Sequence, residues 1–401
     1  MSSSTEAQAS RVPADVHNIL RIFRTGAPMT RADVVRVSGL SRATANLRLD
    51  ALITAGLVVS AEPATSTGGR PAALFAFNRA RGVLLVADLG ATAMRVALCD
   101  LGGTVLTEVE QQIDIADGPT PLLKAVSDHF AKLLADTGHS SSDVLGIGLD
   151  VPGPVDFASG QVVSPPIMTG WDRFNIPAWF TPTYHCPIVV DKDTNAMAVG
   201  ERLFSFPNVS HMMMLKVGTG VGSGLIANGI VHRGADGAAG DIGHLQLPLL
   251  DEPEGPLCRC GNTGCVEAYA GGWAMARDLR ASGKDAQSVN DVLHLLHTGD
   301  VTAQQLLRRA GRILGRAVAD AVNLFNPRVI AVGGQLASTD EQLLAGIREV
   351  VYQRSLPLAT RNLQIVRGQL DPRAGLLGLS SMLSEEIFSP ERLDNLIDRY
   401  S

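Results

Sequence analysis

Three of the five cysteines, Cys258, Cys260 and Cys265, fall within eight positions of a glycine-rich stretch, and His244 precedes them by 14 residues across an expected hairpin. Three thiolates and an imidazole make a closed tetrahedral set with no vacant position, so the pattern predicts one structural zinc ion (Zn2+) per chain. Inert buried thiols are the alternative, although packing alone seldom crowds three cysteines so closely. Two glycine turns suggest a second chemistry. Asp88, Gly90 and Thr92 lie in the first, and Gly218, Thr219 and Gly220 in the second. A carboxylate, bare backbone and a hydroxyl at such a turn can hold a phosphate and its cation. Either turn alone reads equally well as an ordinary hairpin.

The elements that must position these groups begin with a different texture. Val16, Ile19, Leu20 and Phe23 have helical spacing within Asp15 to Arg24. Thr30 predicts an N-cap, with Asp33 at the third helical position, for a short helix over Arg31 to Val37 that Gly39 ends. Ser41 caps a third helix running to about Ala55, with Ala45, Leu49, Leu52 and Ile53 toward the core. Leu57 to Ser60 and Ala73 to Phe77 read as strands around Thr67, Gly68, Gly69 and Arg70. Residues 11–78 are therefore expected to form a winged helix-turn-helix, after a disordered tail over 1–10 and before a junction at 79–81. Ser41, Arg42, Thr44, Asn46 and Arg48 near the start of the third helix can bond phosphates or base edges. Gly69 and Arg70, followed by Pro71, suit insertion of one cation into a minor groove.

Charge separates the same two regions. Residues 1–82 hold ten Arg, no Lys and five acids, a net +5, whereas the remainder carries −11. A basic head on an acidic body points to double-stranded operator DNA as the head's partner. A head used only for protein contact is the alternative, and it has little need of the excess charge. From residue 82 onward, apolar strands alternate with glycine turns. Val83 to Asp88 and Ala93 to Cys99 flank the first turn, and Met213 to Val217 and Gly224 to Ala227 flank the second. Two such units predict two related lobes facing each other across a cleft. At 401 residues, 45% of them hydrophobic and 18% charged, the chain is too long for one small module and too apolar for bulk disorder. No apolar run approaches the roughly 18 residues of a membrane span, and a cytoplasmic protein without membrane partners is expected.

Both turns, the stretch Asp191 to Glu201, the segment Gly237 to His244, the cysteine cluster and Val329 to Gln335 resemble the ROK family of repressors and sugar kinases. The resemblance covers almost the whole chain. It implies an α/β fold, an N-terminal winged helix-turn-helix followed by a two-lobed actin-like domain of the sugar kinase and Hsp70 type. That domain would span 82–401, with lobes of about 82–200 and 201–375 and C-terminal helices after them, and it would assemble as a homodimer or homotetramer. The head resembles the repressor branch, whose wing has the same Gly, Gly, Arg, Pro order. The resemblance also assigns the same four zinc ligands. It places Asp193, Asp241, His244 and Glu267 against sugar hydroxyls, with Asp193 at the position of the kinase base. Bidentate carboxylates suit polyols.

Several residues depart from the kinase pattern. Lys192 replaces an Asn beside the base, where it is expected either to pair with Asp193 or to attract an anionic sugar. Ala91 stands where kinases carry Gly, Ala93 where they carry a polar residue, and Asp241 where they carry Glu. Asp193 is therefore expected to be vestigial, with no catalytic residue. The expected function is a sugar-responsive DNA-binding regulator, most simply a repressor of carbohydrate genes. The alternative is an ATP-dependent sugar kinase.

Overall fold

The computed structural model describes residues 14–61, 73–247, 255–339 and 341–400. The head folds as its local signals dictate. Helix α1 spans Ala14–Thr25, and a two-residue strand β1, Met29–Thr30, leads directly into α2, Arg31–Ser38. Thr30 caps α2 through a reciprocal capping box with Asp33, and Gly39, at φ 69°, ends it in the left-handed conformation that glycine accommodates without strain. Ser41 accepts from the Thr44 amide at 3.2 Å to start α3, Arg42–Thr54. Strands β2, Val58–Ala61, and β3, Leu74–Phe77, pair antiparallel, and β1 adds to the far side of β3. Sequence patterning gave no sign of β1, because a two-residue strand has no period. The wing tip expected to carry Gly69 and Arg70 lies outside the described residues.

The first lobe follows through β4 (Val83–Leu89), β5 (Ala93–Asp100), β6 (Val105–Gln112), α4 (Pro119–Asp136), β7 (Val144–Val151), a small hairpin of β8 (Val155–Asp156) and β9 (Gln161–Val162), α5 (Ile176–Phe180), β10 (Ile188–Lys192) and α6 (Asp193–Phe204). Its sheet has the order β10-β7-β4-β5-β6. The second lobe runs through β11 (Met212–Val217), β12 (Val221–Ala227), β13 (Ile230–Val231), α7 (Val266–Ala270), α8 (Gly272–Ala281), α9 (Val289–His297), α10 (Val301–Phe325), β14 (Val329–Gly333), α11 (Gln335–Thr339), α12 (Glu341–Arg354), α13 (Pro357–Thr360) and β15 (Gln364–Arg367). Its sheet, β13-β12-β11-β14-β15, repeats the plan of the first: three antiparallel strands, then strands added in parallel. Each lobe thus presents a tight turn between its first two strands at one edge of a shared cleft.

Helices α14 (Ala374–Ile387) and α15 (Pro390–Tyr400) return from the second lobe to the first and then to the head. A single hydrophobic cluster holds Ile19, Leu20, Phe23, Leu49 and Leu52 of the head, Leu84 and Val86 of β4, Leu379 and Leu383 of α14, and Leu393 and Ile397 of α15. The core therefore continues across residues 79–81 instead of closing at each side of them. That segment is a short 3-10 turn with anchors on both sides: Asn78 Nδ2 donates to the Gly56 carbonyl at 2.9 Å, and the Leu101 amide donates to the Arg79 carbonyl at 3.1 Å. Arg81 stacks over the Tyr400 ring at 3.7 Å. No helix among the described residues is long and apolar enough to cross a membrane.

Candidate functional site

A cavity of about 300 Å³ lies between the lobes and is lined by both glycine turns together with Lys192, Asp193, Asp241, His244 and Glu267. Every residue expected at the turns or against a ligand therefore borders one space, although these residues span 180 positions of chain. In the first turn Asp88 lies one residue from the end of β4, and the Gly90 amide closes the turn on the Ala93 carbonyl at 2.8 Å. In the second, the Gly218 amide donates to the Gly220 carbonyl at 3.0 Å, and α8 is fixed beneath it by Gly272 and Trp273 amides donating to Gly218 and Thr219 carbonyls. Glu267 braces the same turn: its Oε2 accepts from the Val221 amide at 2.9 Å and its Oε1 from Trp273 Nε1 at 3.2 Å. A Cβ at position 220 would come within 2.5 Å of Glu267 Oε2, so a larger residue there would have to push that brace aside.

Asp193 opens α6, and its partner differs from the one expected. Lys192 does not pair with it. The Lys192 ammonium donates instead to the Ala239 carbonyl at 3.0 Å, because β10 and α6 turn adjacent side chains in different directions. Burial lowers the Lys192 pKa, while Asp241, Asp193 and Asp191 oppose that change. The cation on Asp193 is Lys216 of β11, whose Nζ donates to Asp193 Oδ2 at 2.6 Å. Burial alone would lower the Lys216 pKa, but Asp193, Asp88 and Asp150 outweigh it and hold the ammonium charged above its ordinary range. Asp191 is engaged elsewhere, with Arg233 at 2.7 Å and Asn195 at 2.8 Å. Lys216 and Asp150 were missed in the sequence; the available signal was an ionisable residue inside an otherwise apolar strand.

Beside the cleft, His244, Cys258, Cys260 and Cys265 bring one ligand atom each within 4.8 Å of one another. The pairing of Leu247 with Gly264 and of Val266 with Leu245 sets His244 next to the cysteine loop. His244 Nδ1 is 3.7 Å from Cys258 Sγ, and Cys260 Sγ is 3.7 Å from Cys265 Sγ. Thiolates placed tetrahedrally at ~2.3 Å from a metal ion such as zinc are roughly 3.8 Å apart, so the cluster is of a size that could hold a metal ion. Burial raises the thiol pKa values of Cys258 and Cys265, a penalty that a cation among them reverses. Because Nδ1 faces the thiols, Nε2 is the nitrogen left over for a polar partner.

On the head, Arg42 is exposed at the start of α3, and Thr44 Oγ1 lies 2.8 Å from Ser41 Oγ. Asn46 is half-buried, with its Oδ1 3.4 Å from Arg31 Nη1, and Arg48 is half-buried with its Nε enclosed and lacking an acceptor. Leu47, not anticipated, is 61% exposed on the outer side of the helix beside Ala43. The helical period puts 43 and 47 on one face and turns 48 toward the core, a distinction that listing polar residues near a helix start does not make.

Residues 85–386 match the model of the family described as the ROK family. The xylose repressor of Bacillus spizizenii is 27% identical over 368 residues, covering 92% of this chain and 94% of that protein. A solved ROK family transcriptional regulator, described as a homolog of the E. coli MLC protein, superposes with a TM-score of 0.79 at 26% identity, covering 96% of this chain and 98% of its own. A ROK family glucokinase from Streptomyces griseus, solved with glucose and AMPPNP, gives a TM-score of 0.63 at 26% identity and covers 76% of this chain and 100% of its own.

Proposed function

The chain belongs to the ROK family, and from that premise we propose that it is a DNA-binding transcriptional repressor controlled by a sugar or sugar derivative. The observation that carries this reading is the extent of the likeness. The relatives matching head and body together are a repressor and a transcriptional regulator, whereas the glucokinase matches only the body's share. The head over 11–78 would read DNA through Ser41, Arg42, Thr44, Asn46 and Arg48, with Gly69 and Arg70 on the wing. A dimer or tetramer would match operators of its own two-fold symmetry. The effector would contact Lys192, Asp193, Asp241, His244 and Glu267, and a structural zinc on His244, Cys258, Cys260 and Cys265 would fix His244 at the cleft edge.

The kinase alternative has the fold and both turns in its favour. Against it, Asp193 is held by Lys216, so a proton taken from a sugar hydroxyl would have to displace an ion pair. Ala91 also adds a methyl group to the first turn. The decisive experiment is an anisotropy titration of labelled operator against a panel of sugars, run beside a coupled ADP assay with the same panel. A repressor gives a sugar that shifts operator affinity without ADP release. Turnover near 1 to 100 per second that Asp193→Asn abolishes, with operator affinity unmoved by any sugar, would reject the reading.

A further inference from the structure

Lys216 belongs to none of the motifs, yet it lines the cleft. It projects from the second lobe's sheet, and its Nζ meets Asp193 Oδ2 at the start of α6. Asp88 and Asp150 complete its surroundings. They sit opposite each other in the β4–β7 register, each one residue from the end of its strand. Both carboxyls also crowd Gly375 in the first turn of α14, where a Cβ would lie 2.5 Å from Asp88 Oδ2 and 3.2 Å from Asp150 Oδ2. Asp150 is fully buried, and neither of its carboxyl oxygens meets a hydrogen-bond donor. Asp88 is half-buried at the cavity wall, burial raises the pKa of both carboxyls, and two so close do not both ionise. Burial, and then the charge of Asp88, raises the Asp150 pKa, which favours a protonated Asp150 able to donate to Asp88. What remains is two carboxylates, Asp88 and Asp193, and one ammonium.

Where a cleft of this kind holds a nucleotide, a divalent metal ion bridges carboxylates and phosphate oxygens. We propose that Lys216 is a tethered cation in that ion's place among Asp88, Asp150 and Asp193, so that the cleft takes its ligand without divalent metal or nucleotide. The ammonium neutralises the carboxylate a metal would need and repels a second cation brought beside it. Because Lys216 comes from the second lobe while Asp193 opens α6 of the first, the same contact joins the lobes. This inference rests on the sensor reading only in explaining why such a substitution suits a protein that binds sugar and does not phosphorylate it.

The test is titration of the full-length, zinc-loaded protein with Mn2+, the free ion being followed by its paramagnetic resonance signal. Wild type should leave Mn2+ free. Lys216→Gln should bind one Mn2+ at least tenfold more tightly, and the gain should vanish in Lys216→Gln/Asp88→Asn. A folded Lys216→Gln with no gain overturns the proposal. If that variant does not fold, Lys216→Met, which keeps the apolar stem, takes its place. The wild type also decides alone: Mn2+ uptake that Asp88→Asn abolishes refutes the tethered cation, and absence of such uptake supports it. The measurement involves neither DNA nor sugar, so failure here leaves the repressor reading standing, and failure of that reading leaves this result intact.

Discussion

Phe388→Ala should disconnect the head from the body. The ring is fully buried between α14 and α15, meets Phe77 edge-on with centroids 5.7 Å apart, and lies under the Arg24 guanidinium at 4.9 Å. Its carbonyl oxygen is 2.7 Å from His17 Nδ1. Truncating a buried Phe costs ~3–5 kcal/mol once the residual cavity is included, of which the aromatic pair accounts for ~0.5–1.5 kcal/mol. The lost atoms lie between head and body, so the cost falls on their docking and not on either lobe. Calorimetry should then resolve two transitions, the head melting first, and the change in operator affinity on adding effector, typically worth ~1–3 kcal/mol, should shrink. Phe130→Ala is the control: Phe130 is equally buried but inside the first lobe's cluster, and its loss should lower the melting temperature without splitting the transition. One transition for Phe388→Ala with an undiminished effector response would refute coupling through this contact.

Cys260→Ser should lose the metal and stability together, read by elemental analysis and thermal melting; a zinc-free wild type that is well folded would dismiss the centre. Arg42→Ala should weaken specific operator binding by ~1–3 kcal/mol at fixed salt if the exposed guanidinium makes a bidentate base contact, as measured by anisotropy. Burial, and then the charge of Asp88, raises the Asp150 pKa. The pair's contribution is therefore fully present below the unfolded carboxyl pKa of about 4 and is lost as pH rises through its folded value. Asp150→Asn, which cannot ionise and still donates to Asp88, should gain on wild type as pH rises from about 4, seen in urea midpoints at pH 5 and pH 8. An equal difference at both pH values would contradict the shared proton.

What could be read from the sequence was whatever is encoded locally. The Thr30 cap with Asp33 at the third helical position, the Gly39 stop and the Ser41 cap each act within four residues, and all three form as expected, with a reciprocal box added at the first. The cysteine loop and the two glycine turns are equally local, whereas Asp193, Asp241 and Glu267 were placed at the cleft by family resemblance. Lys216 and Asp150 were hidden because each is one residue in a buried strand, and only the meeting of two sheets reveals that they face the same space. The choice between Lys192 and Lys216 as partner of Asp193 was likewise a matter of direction, set where β10 gives way to α6. The exposed Leu47 on α3 and the docking of α15 on the head depend on contacts that no window of sequence contains.

The head's core is completed from the far end of the chain, and this has a consequence for how the protein comes into being. His17 and Phe388, which touch, are separated by 371 residues. At ~5–20 residues per second, translation leaves the head waiting about 20 to 70 seconds for α14 and α15. During that interval Ile19, Leu20 and Leu49 lack part of their cover, and a ribosome-bound or truncated chain holds an incompletely buried reader of DNA. Complete burial of the head's core is thus reserved for molecules that have already been made as far as their cleft and final helices.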